Sequence, residues 1–196
     1  MSENHQITDA TAESCAPGKL KKTIVLVGMM GAGKTAVGRA LAARLDVPFL
    51  DSDHEIEAAA NMSIPEIFAR DGEPFFREKE HQVITRLLKE ECGVLSTGGG
   101  AFLAERNRTV MSEAGVSVCL QADLEVLWKR VKGRDTRPLL RSPDPYKSLS
   151  DLYHARVPIY AQADLKVISD GQVSIDNMVD RVLEALRARP DVLEFN

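Results

Sequence analysis

Cysteine is scarce in this sequence. Its three cysteines, Cys15, Cys92 and Cys119, are odd in number, and no two of them have the C-x-x-C spacing of a zinc or redox site. This argues against a disulfide framework or a cysteine-based zinc site, and we expect all three thiols to be inert. The four histidines also lack the spacing of a metal site or a catalytic triad, and we expect them at the surface.

Long apolar runs and an excess of positive charge are absent as well. No run approaches the roughly 18 to 20 apolar residues that span a bilayer, and the polar segment 1–22 lacks the apolar stretch of a signal peptide. The 25 basic residues are outnumbered by 29 acidic ones, whereas proteins that bind nucleic acid through their overall field are basic. We expect a cytoplasmic protein, working as a monomer, that binds neither nucleic acid nor a membrane.

The remaining composition is that of an ordinary globular protein. With 196 residues, 44% of them hydrophobic and 28% charged, the chain is long enough for one sizeable core. Residues 1–20 are rich in small and polar side chains and are predicted to form a flexible arm. Residues 21–190 are predicted to form a single domain.

Short apolar runs alternate with helical periodicity along this domain. Such alternation predicts a parallel sheet with helices on both faces, an α/β fold of three layers. Residues 52–91 are too many for one crossover helix, so we expect an inserted helical region that holds a second substrate. Residues 132–146 contain three prolines and are predicted to form a mobile loop. The predicted strands are 23–27, 47–50, 93–96, 116–120 and 165–168.

The stretch GMMGAGKT, residues 28–35, lies between the first of these strands and a helical segment. It matches the phosphate-binding loop G-x-x-x-x-G-K-[ST] in the strand-then-helix context that this loop requires. The glycines let backbone N–H groups surround an anion, Lys34 reaches the terminal phosphates, and the Thr35 hydroxyl can ligate Mg²⁺. A plain glycine-rich turn would explain the glycines but not the Lys-Thr pair. A GTPase switch is disfavoured because no N-K-x-D segment is present.

Two acidic residues, Asp51 and Asp53, follow the second predicted strand, at the sheet edge where α/β proteins bind ligands. We assign Asp51 to the Mg²⁺ shell, through water, and Asp53 to an acceptor hydroxyl. The alternative is that either acid only caps the next helix.

Arg77 falls on a long amphipathic helix, three residues before Glu80, with which it can form a local ion pair. In a site, Arg77 would bind a substrate carboxylate through two parallel hydrogen bonds, which lysine cannot do. The alternative is a solvated helix face. Farther along, Gly98, Gly99 and Gly100 are predicted to let a ligand approach bare backbone N–H groups. Trp128, the only tryptophan, is predicted to pack in the core.

Taken together, the segments GMMGAGKT, FLDSD, FFREKE, STGGGA, TRPLL and ARVPIY resemble those of the shikimate kinases, in the same order and over nearly the whole chain. The resemblance implies a P-loop fold of the nucleoside-monophosphate-kinase type with a five-stranded parallel sheet. It further implies Mg²⁺-dependent transfer of the ATP γ-phosphate to the 3-hydroxyl of shikimate, in aromatic amino-acid biosynthesis.

The resemblance also implies roles for individual residues. Asp53 would bind the shikimate hydroxyls, Arg77 and Arg156 would bind its carboxylate, and Gly98–Gly100 would form a shelf beneath it. Lys34, Asp53 and Arg137 would be the catalytic residues, with Arg137 reaching the phosphates from a lid at about 132–146. The expected ATP-binding residues are Gly31, Ala32, Gly33, Lys34, Thr35, Ala36, Arg130, which would stack on adenine, and Arg137.

Two alternatives remain open from the sequence. Another small-metabolite kinase of the same architecture, such as a gluconate kinase, would keep the phosphate loop but accept a different alcohol. A non-catalytic nucleotide-binding module would keep the loop without the acceptor residues.

Overall fold

The structure, a computed structural model, describes residues 18–133 and 142–196. Strands and helices alternate through most of the chain. The strands are β1 (Gly18–Leu20), β2 (Thr23–Val27), β3 (Phe49–Asp51), β4 (Val94–Ser96), β5 (Gly115–Ala122), β6 (Leu165–Ser169) and β7 (Leu193–Phe195). The α-helices are α1 (Lys34–Leu45), α2 (Ser52–Ala60), α3 (Ile64–Glu90), α4 (Glu105–Ala114), α5 (Leu124–Val131), α6 (Pro145–Tyr160) and α7 (Ile175–Leu186).

Five strands form a parallel sheet in the order β3-β4-β2-β5-β6, which confirms the predicted fold class. All five residues of the central strand β2 are buried. Four of them are aliphatic, and the fifth is Thr23, because helices cover both faces of a parallel sheet and leave its central strand without a solvent-facing side. Helix α1 packs on α7 and on β3 and β4, while α3 packs on α4, which contacts β5. Because all five strands run parallel, their carboxyl ends lie at the same edge of the sheet.

Strand β3 begins two residues later than predicted and extends through Asp51. The apolar residue Val47 belongs instead to the turn that ends α1, where its N–H bonds to the carbonyl of Ala42. Pro48 has no N–H to donate to a ladder, and only its carbonyl takes part, accepting from Val94. Strand β3 therefore ends with Asp51, which lies at the carboxyl edge of the sheet.

Helices α2 and α3 fill the predicted helical insertion. The Ser63 hydroxyl accepts the N–H of Glu66, and the Glu66 carboxylate accepts the N–H of Ser63, which forms a capping box at the start of α3. Asp123 and Ser174 occupy the N-cap positions of α5 and α7, but only Ser174 makes a side-chain cap bond. Helix α3 is broken at Gly72, whose φ of 82° is left-handed.

Strands β1 and β7 form a separate antiparallel pair, in which Gly18 lies opposite Phe195 and Leu20 opposite Leu193. The predicted arm extended to residue 20, and the structure corrects its end, because residues 18–20 are held in this two-stranded ribbon. The domain correspondingly continues past the predicted limit of residue 190. Residues 1–17 and 134–141, which include Cys15, Arg137 and most of the predicted mobile loop, lie outside the described residues. Within the described part of the chain, no helix is long and apolar enough to cross a membrane.

Candidate active site

A cleft of about 1150 Å³ opens at the carboxyl edge of the sheet, above β2, β3 and β4. Ligands of open α/β sheets bind at this edge. Every described residue that the sequence nominated for a site lines the cleft: Gly31, Ala32, Gly33, Lys34, Thr35, Ala36, Asp51, Asp53, Arg77, Gly98, Gly99, Gly100, Arg130 and Arg156. Residues from separate segments therefore converge on one space. Arg137 lies outside the described residues.

The phosphate-loop end of the cleft is built on left-handed glycines. Gly31 and Gly33 have φ values of 81° and 96°, conformations that side chains rarely adopt. Gly33 is the N-cap of α1, so the loop leads directly into the positive end of a helix. The Lys34 ammonium donates hydrogen bonds of 2.8 Å and 3.1 Å to the carbonyls of Gly28 and Met29, across the loop. The loop therefore has the geometry of an anion site with a positive charge held at its rim.

Thr35 and Asp51 are the described oxygen donors nominated for a metal ion. Thr35 is exposed in the first turn of α1, and Asp51 stands at the end of β3. The Oδ1 atom of Asp51 accepts the N–H groups of Asp53 and His54 as the N-cap of α2. Of the two acids that could cap the helix after β3, Asp51 therefore does so and Asp53 does not. The second carboxylate oxygen of Asp51 is the one suited to a hydrated ion.

These donors fit Mg²⁺. Among the described residues there is no cluster of three acidic, histidine or cysteine side chains that would hold a metal by itself. Mg²⁺ is commonly bound by one or two protein oxygens together with phosphate oxygens and water, so a sparse set of hard donors beside a phosphate loop suits it.

Asp53 lies in the first turn of α2, between the phosphate loop and α3. Burial raises the pKa of its carboxyl to about 6, and the nearby charges of Asp51 and Glu80 contribute to the rise, against the opposing effect of Lys34. A Cβ atom added to Gly98 would come within 2.6 Å of Asp53 Oδ1. The Gly98 N–H in turn donates to the buried hydroxyl of Ser52 at 3.4 Å. Helix α2 and the glycine segment thus fix the position of this carboxylate together.

Arg77 is held by carboxylates on its own helix. Its Nη1 atom donates to both oxygens of Glu80, at 3.1 Å and 2.9 Å, and its Nε and Nη2 atoms donate to Glu73. The predicted ion pair is present, and Glu80 is only 1% exposed. Partial burial disfavours the charge of Arg77, but Glu80 and Glu73 outweigh it and raise the pKa of the guanidinium. Arg77 is therefore a fixed cation at the cleft wall rather than part of a solvated helix face.

The three glycines after β4 differ in what surrounds them. A side chain on Gly98 would collide with Asp53, and one on Gly100 would collide with the Arg77 guanidinium at 2.6 Å, whereas the nearest atom to a Cβ on Gly99 is 3.8 Å away. The expectation that all three admit a ligand is thus refined. Gly98 and Gly100 make room for two protein side chains, and only Gly99 could carry a Cβ without a clash.

Arg156 approaches this segment from α6, with its Nη1 atom 3.4 Å from the Gly99 carbonyl. Sequence reasoning missed Tyr160, whose hydroxyl donates to the same carbonyl. The available signal was its spacing, since residues four apart lie on one face of a helix.

The other end of the cleft, beyond the phosphate loop, is lined by Arg130 and apolar residues. Arg130 donates to the carbonyl of Gly31 at 3.1 Å and to the hydroxyl of Ser169 at 2.9 Å. Val173, Ile175 and Met178 complete this end, and Ile175 is 49% exposed. These three residues were also missed, because apolar residues at the start of a helix carry no sequence signal that separates them from core positions.

Residues outside the cleft agree in part with expectation. Trp128 is partly buried against the core and contacts Tyr146 edge-on. His54 and His154 are exposed, as expected, whereas His81 is half-buried and bonds to Asn107 at 2.8 Å, so it lies only in part at the surface. Cys119 is buried, and burial raises the pKa of its thiol to about 11, which agrees with an inert thiol.

Comparison with known proteins gives consistent results. A sequence model of the shikimate kinase family matches residues 30–187. The shikimate kinase of Ruegeria pomeroyi is 70% identical over 177 residues, which cover 90% of this chain and 91% of the relative. That of Cereibacter sphaeroides is 66% identical over 176 residues, covering 90% and 88%.

Solved structures agree with the sequences. A shikimate kinase from Acinetobacter baumannii, in complex with shikimate, matches with a TM-score of 0.80 and 38% identity, over 85% of this chain and 93% of the other. A gluconokinase from Sinorhizobium meliloti matches with a TM-score of 0.57 at 19% identity, over 87% of this chain and 94% of the other, which shows a common fold alone. From the family match and the identity over nine-tenths of its length, the chain belongs to the shikimate kinase family, whose members are ATP-dependent phosphotransferases.

Proposed function

We propose that this chain transfers the γ-phosphate of ATP to the 3-hydroxyl of shikimate, with Mg²⁺ bound to the nucleotide. One observation carries the proposal: the phosphate loop and a wall bearing Asp53, Arg77 and Arg156 line the same cleft. An anionic nucleotide and a small hydroxy acid can therefore occupy it together. The A. baumannii relative that was solved with shikimate supports this choice of acceptor.

At the nucleotide end, the loop from Gly31 to Ala36 would surround the phosphates with backbone N–H groups, and Lys34 would release its loop carbonyls to bind the transferring phosphate. Thr35 and the second carboxylate oxygen of Asp51 would hold Mg²⁺, the latter through water. The ion would supply charge neutralisation at the phosphate oxygens. Arg137 would bring a further cation from the lid, and Arg130 would contact the adenine.

At the acceptor end, Arg77 and Arg156 would bind the carboxylate of shikimate, and Asp53 would accept a hydrogen bond from a ring hydroxyl. Phosphoryl transfer has a loose transition state and asks the protein mainly for alignment and charge stabilisation. Holding both reactants in one cleft converts a collision into a positioned reaction. Asp53 would therefore act chiefly by orienting the hydroxyl toward the phosphate.

A coupled assay of ADP formation tests the proposal. We expect shikimate to stimulate ADP release in the presence of ATP and Mg²⁺, and ³¹P NMR to show a phosphate ester at the 3-position. Gluconate and related hydroxy acids serve as competing acceptors, and Lys34→Ala serves as the control for a contaminating kinase. If gluconate stimulates ADP release more than shikimate does, the acceptor is wrong; if no acceptor stimulates it, the chain is a nucleotide-binding module instead.

A further inference from the structure

Tyr160 is the last residue of α6 and is only 4% exposed. Its ring stacks on the buried Phe102, with the ring centroids 6.2 Å apart and an interplanar angle of 13°. The ring also lines a second, smaller cavity of about 130 Å³, whose lining includes Met29 and Cys119. Packing on these sides fixes the direction in which the hydroxyl points.

The hydroxyl of Tyr160 donates to the carbonyl of Gly99. All described peptide bonds are trans, so the carbonyl of Gly99 and the N–H of Gly100 point in opposite directions from one planar group. Fixing the carbonyl toward α6 therefore turns the Gly100 N–H away from α6. No acceptor among the described residues takes the N–H groups of Gly99 and Gly100, and both glycines line the cleft.

Arg156 is a second donor to the same carbonyl. Its distance of 3.4 Å lies beyond the usual range for an N–H···O bond, about 2.7 to 3.2 Å, so this contact is weak. If Tyr160 did not satisfy the carbonyl, Arg156 would be the described side chain placed to do so. A guanidinium bound there would be turned away from the carboxylate of an acceptor.

We propose that Tyr160 is a positioning residue for the acceptor site: its hydroxyl satisfies the Gly99 carbonyl, which orients the glycine segment and limits Arg156 to a weak contact there, so that the guanidinium stays available to the substrate carboxylate. The inference rests on the proposed function for its substrate. It concerns acceptor affinity through Gly99 and Arg156, because Tyr160 itself does not line the cleft.

The test is Tyr160→Phe, which removes only the hydroxyl and keeps the ring that stacks on Phe102. We expect the KM for shikimate to rise about tenfold. A change of this size matches the free energy of the one hydrogen bond that is lost, with Arg156 turning from the substrate carboxylate to the Gly99 carbonyl. The KM for ATP and kcat should change less than about twofold, because the phosphate loop is untouched.

Tyr153→Phe is the matched control. Tyr153 lies on the same helix and lines the same cavity, but it is not bonded to Gly99, so the KM of this variant for shikimate should stay unchanged. Arg156→Lys should then cost less acceptor affinity in the Tyr160→Phe background than in the native chain, because the arginine is already diverted there.

Three results would overturn the proposal: an unchanged KM for shikimate in Tyr160→Phe, an equal rise in the KM for both substrates, or loss of folding by this isosteric change. The last two would mean that the hydroxyl stabilises the fold in general. Absence of shikimate-dependent ADP release in the native chain would instead reject the proposed function, and the two failures are thereby separated.

Discussion

Replacing Asp53 by asparagine should make the protein more stable while it abolishes most of the activity. The carboxyl of Asp53 has its pKa raised from 3.8 to about 6 by burial and by Asp51 and Glu80, so the folded state disfavours its charge. A shift of about two pKa units corresponds to about 3 kcal/mol. Local relaxation reduces this figure, and we expect a gain of about 1 to 3 kcal/mol for the isosteric, uncharged side chain near neutral pH.

Because the pKa of Asp53 is higher in the folded than in the unfolded chain, the stability difference between Asp53→Asn and the native protein depends on pH. Below about pH 4 the carboxyl is protonated in both the folded and the unfolded chain, and Asp53 carries no charge penalty. Between about pH 4 and pH 6 the unfolded chain loses the proton while the folded chain retains it, so the native protein loses stability as pH rises. The advantage of Asp53→Asn should therefore be absent at about pH 4, grow through this interval and level off above about pH 6.

Thermal unfolding followed by circular dichroism, without ligands, measures the effect. For a chain of this size the gain corresponds to a midpoint higher by about 2 to 10 °C near neutral pH. Asp123→Asn is the control, because Asp123 is exposed and its side chain makes no cap bond. A midpoint for Asp53→Asn below that of the native protein at neutral pH, or a difference that is the same at both ends of the pH range, would refute the reasoning.

Three further predictions concern the cations of the cleft. Lys34→Ala should lower kcat at least about a hundredfold, because charge stabilisation of the transferring phosphate is lost; near-normal turnover would remove Lys34 from the catalytic residues. Arg77→Lys should raise the KM for shikimate about tenfold or more, since an ammonium cannot reproduce the guanidinium fork, whereas Arg70→Lys, at an exposed ion pair outside the cleft, should have no effect. Arg137→Ala should lower kcat at least about a hundredfold, and hydrogen exchange of residues 132–146 should slow when an ATP analogue and shikimate bind; equal exchange with and without ligands would argue against a lid.

The sheet and the phosphate loop were readable from the sequence because their signals are local. β2 is a continuous apolar run, and the loop that follows it has fixed spacing and a fixed context. The capping box at Ser63 is equally local. The start of β3 was misplaced because Val47 is apolar but lies in a turn, and hydrophobicity alone does not distinguish a strand residue from a helix-ending one.

Features that depend on distant contacts could not be predicted. The contacts of Gly98 with Asp53 and of Gly100 with Arg77 join segments far apart in the chain, so three glycines in a row did not reveal which of them meets a ligand. The capping role of Asp51 was foreseen only as an alternative, since two acids so close in the chain are chemically equivalent until the helix start is known. Tyr160 was overlooked because its spacing from Arg156 gains meaning only when both are seen to meet the carbonyl of Gly99, which is distant in the chain.

The ribbon of β1 and β7 joins the two ends of the described chain. During synthesis on the ribosome, β1 is made before all five strands of the central sheet, and its partner β7 is made after them. The five strands of the central sheet lie between β1 and β7 in the sequence, so this sheet can assemble before β1 pairs with β7. Closure of this ribbon is then a late step, because it has to follow the synthesis of β7.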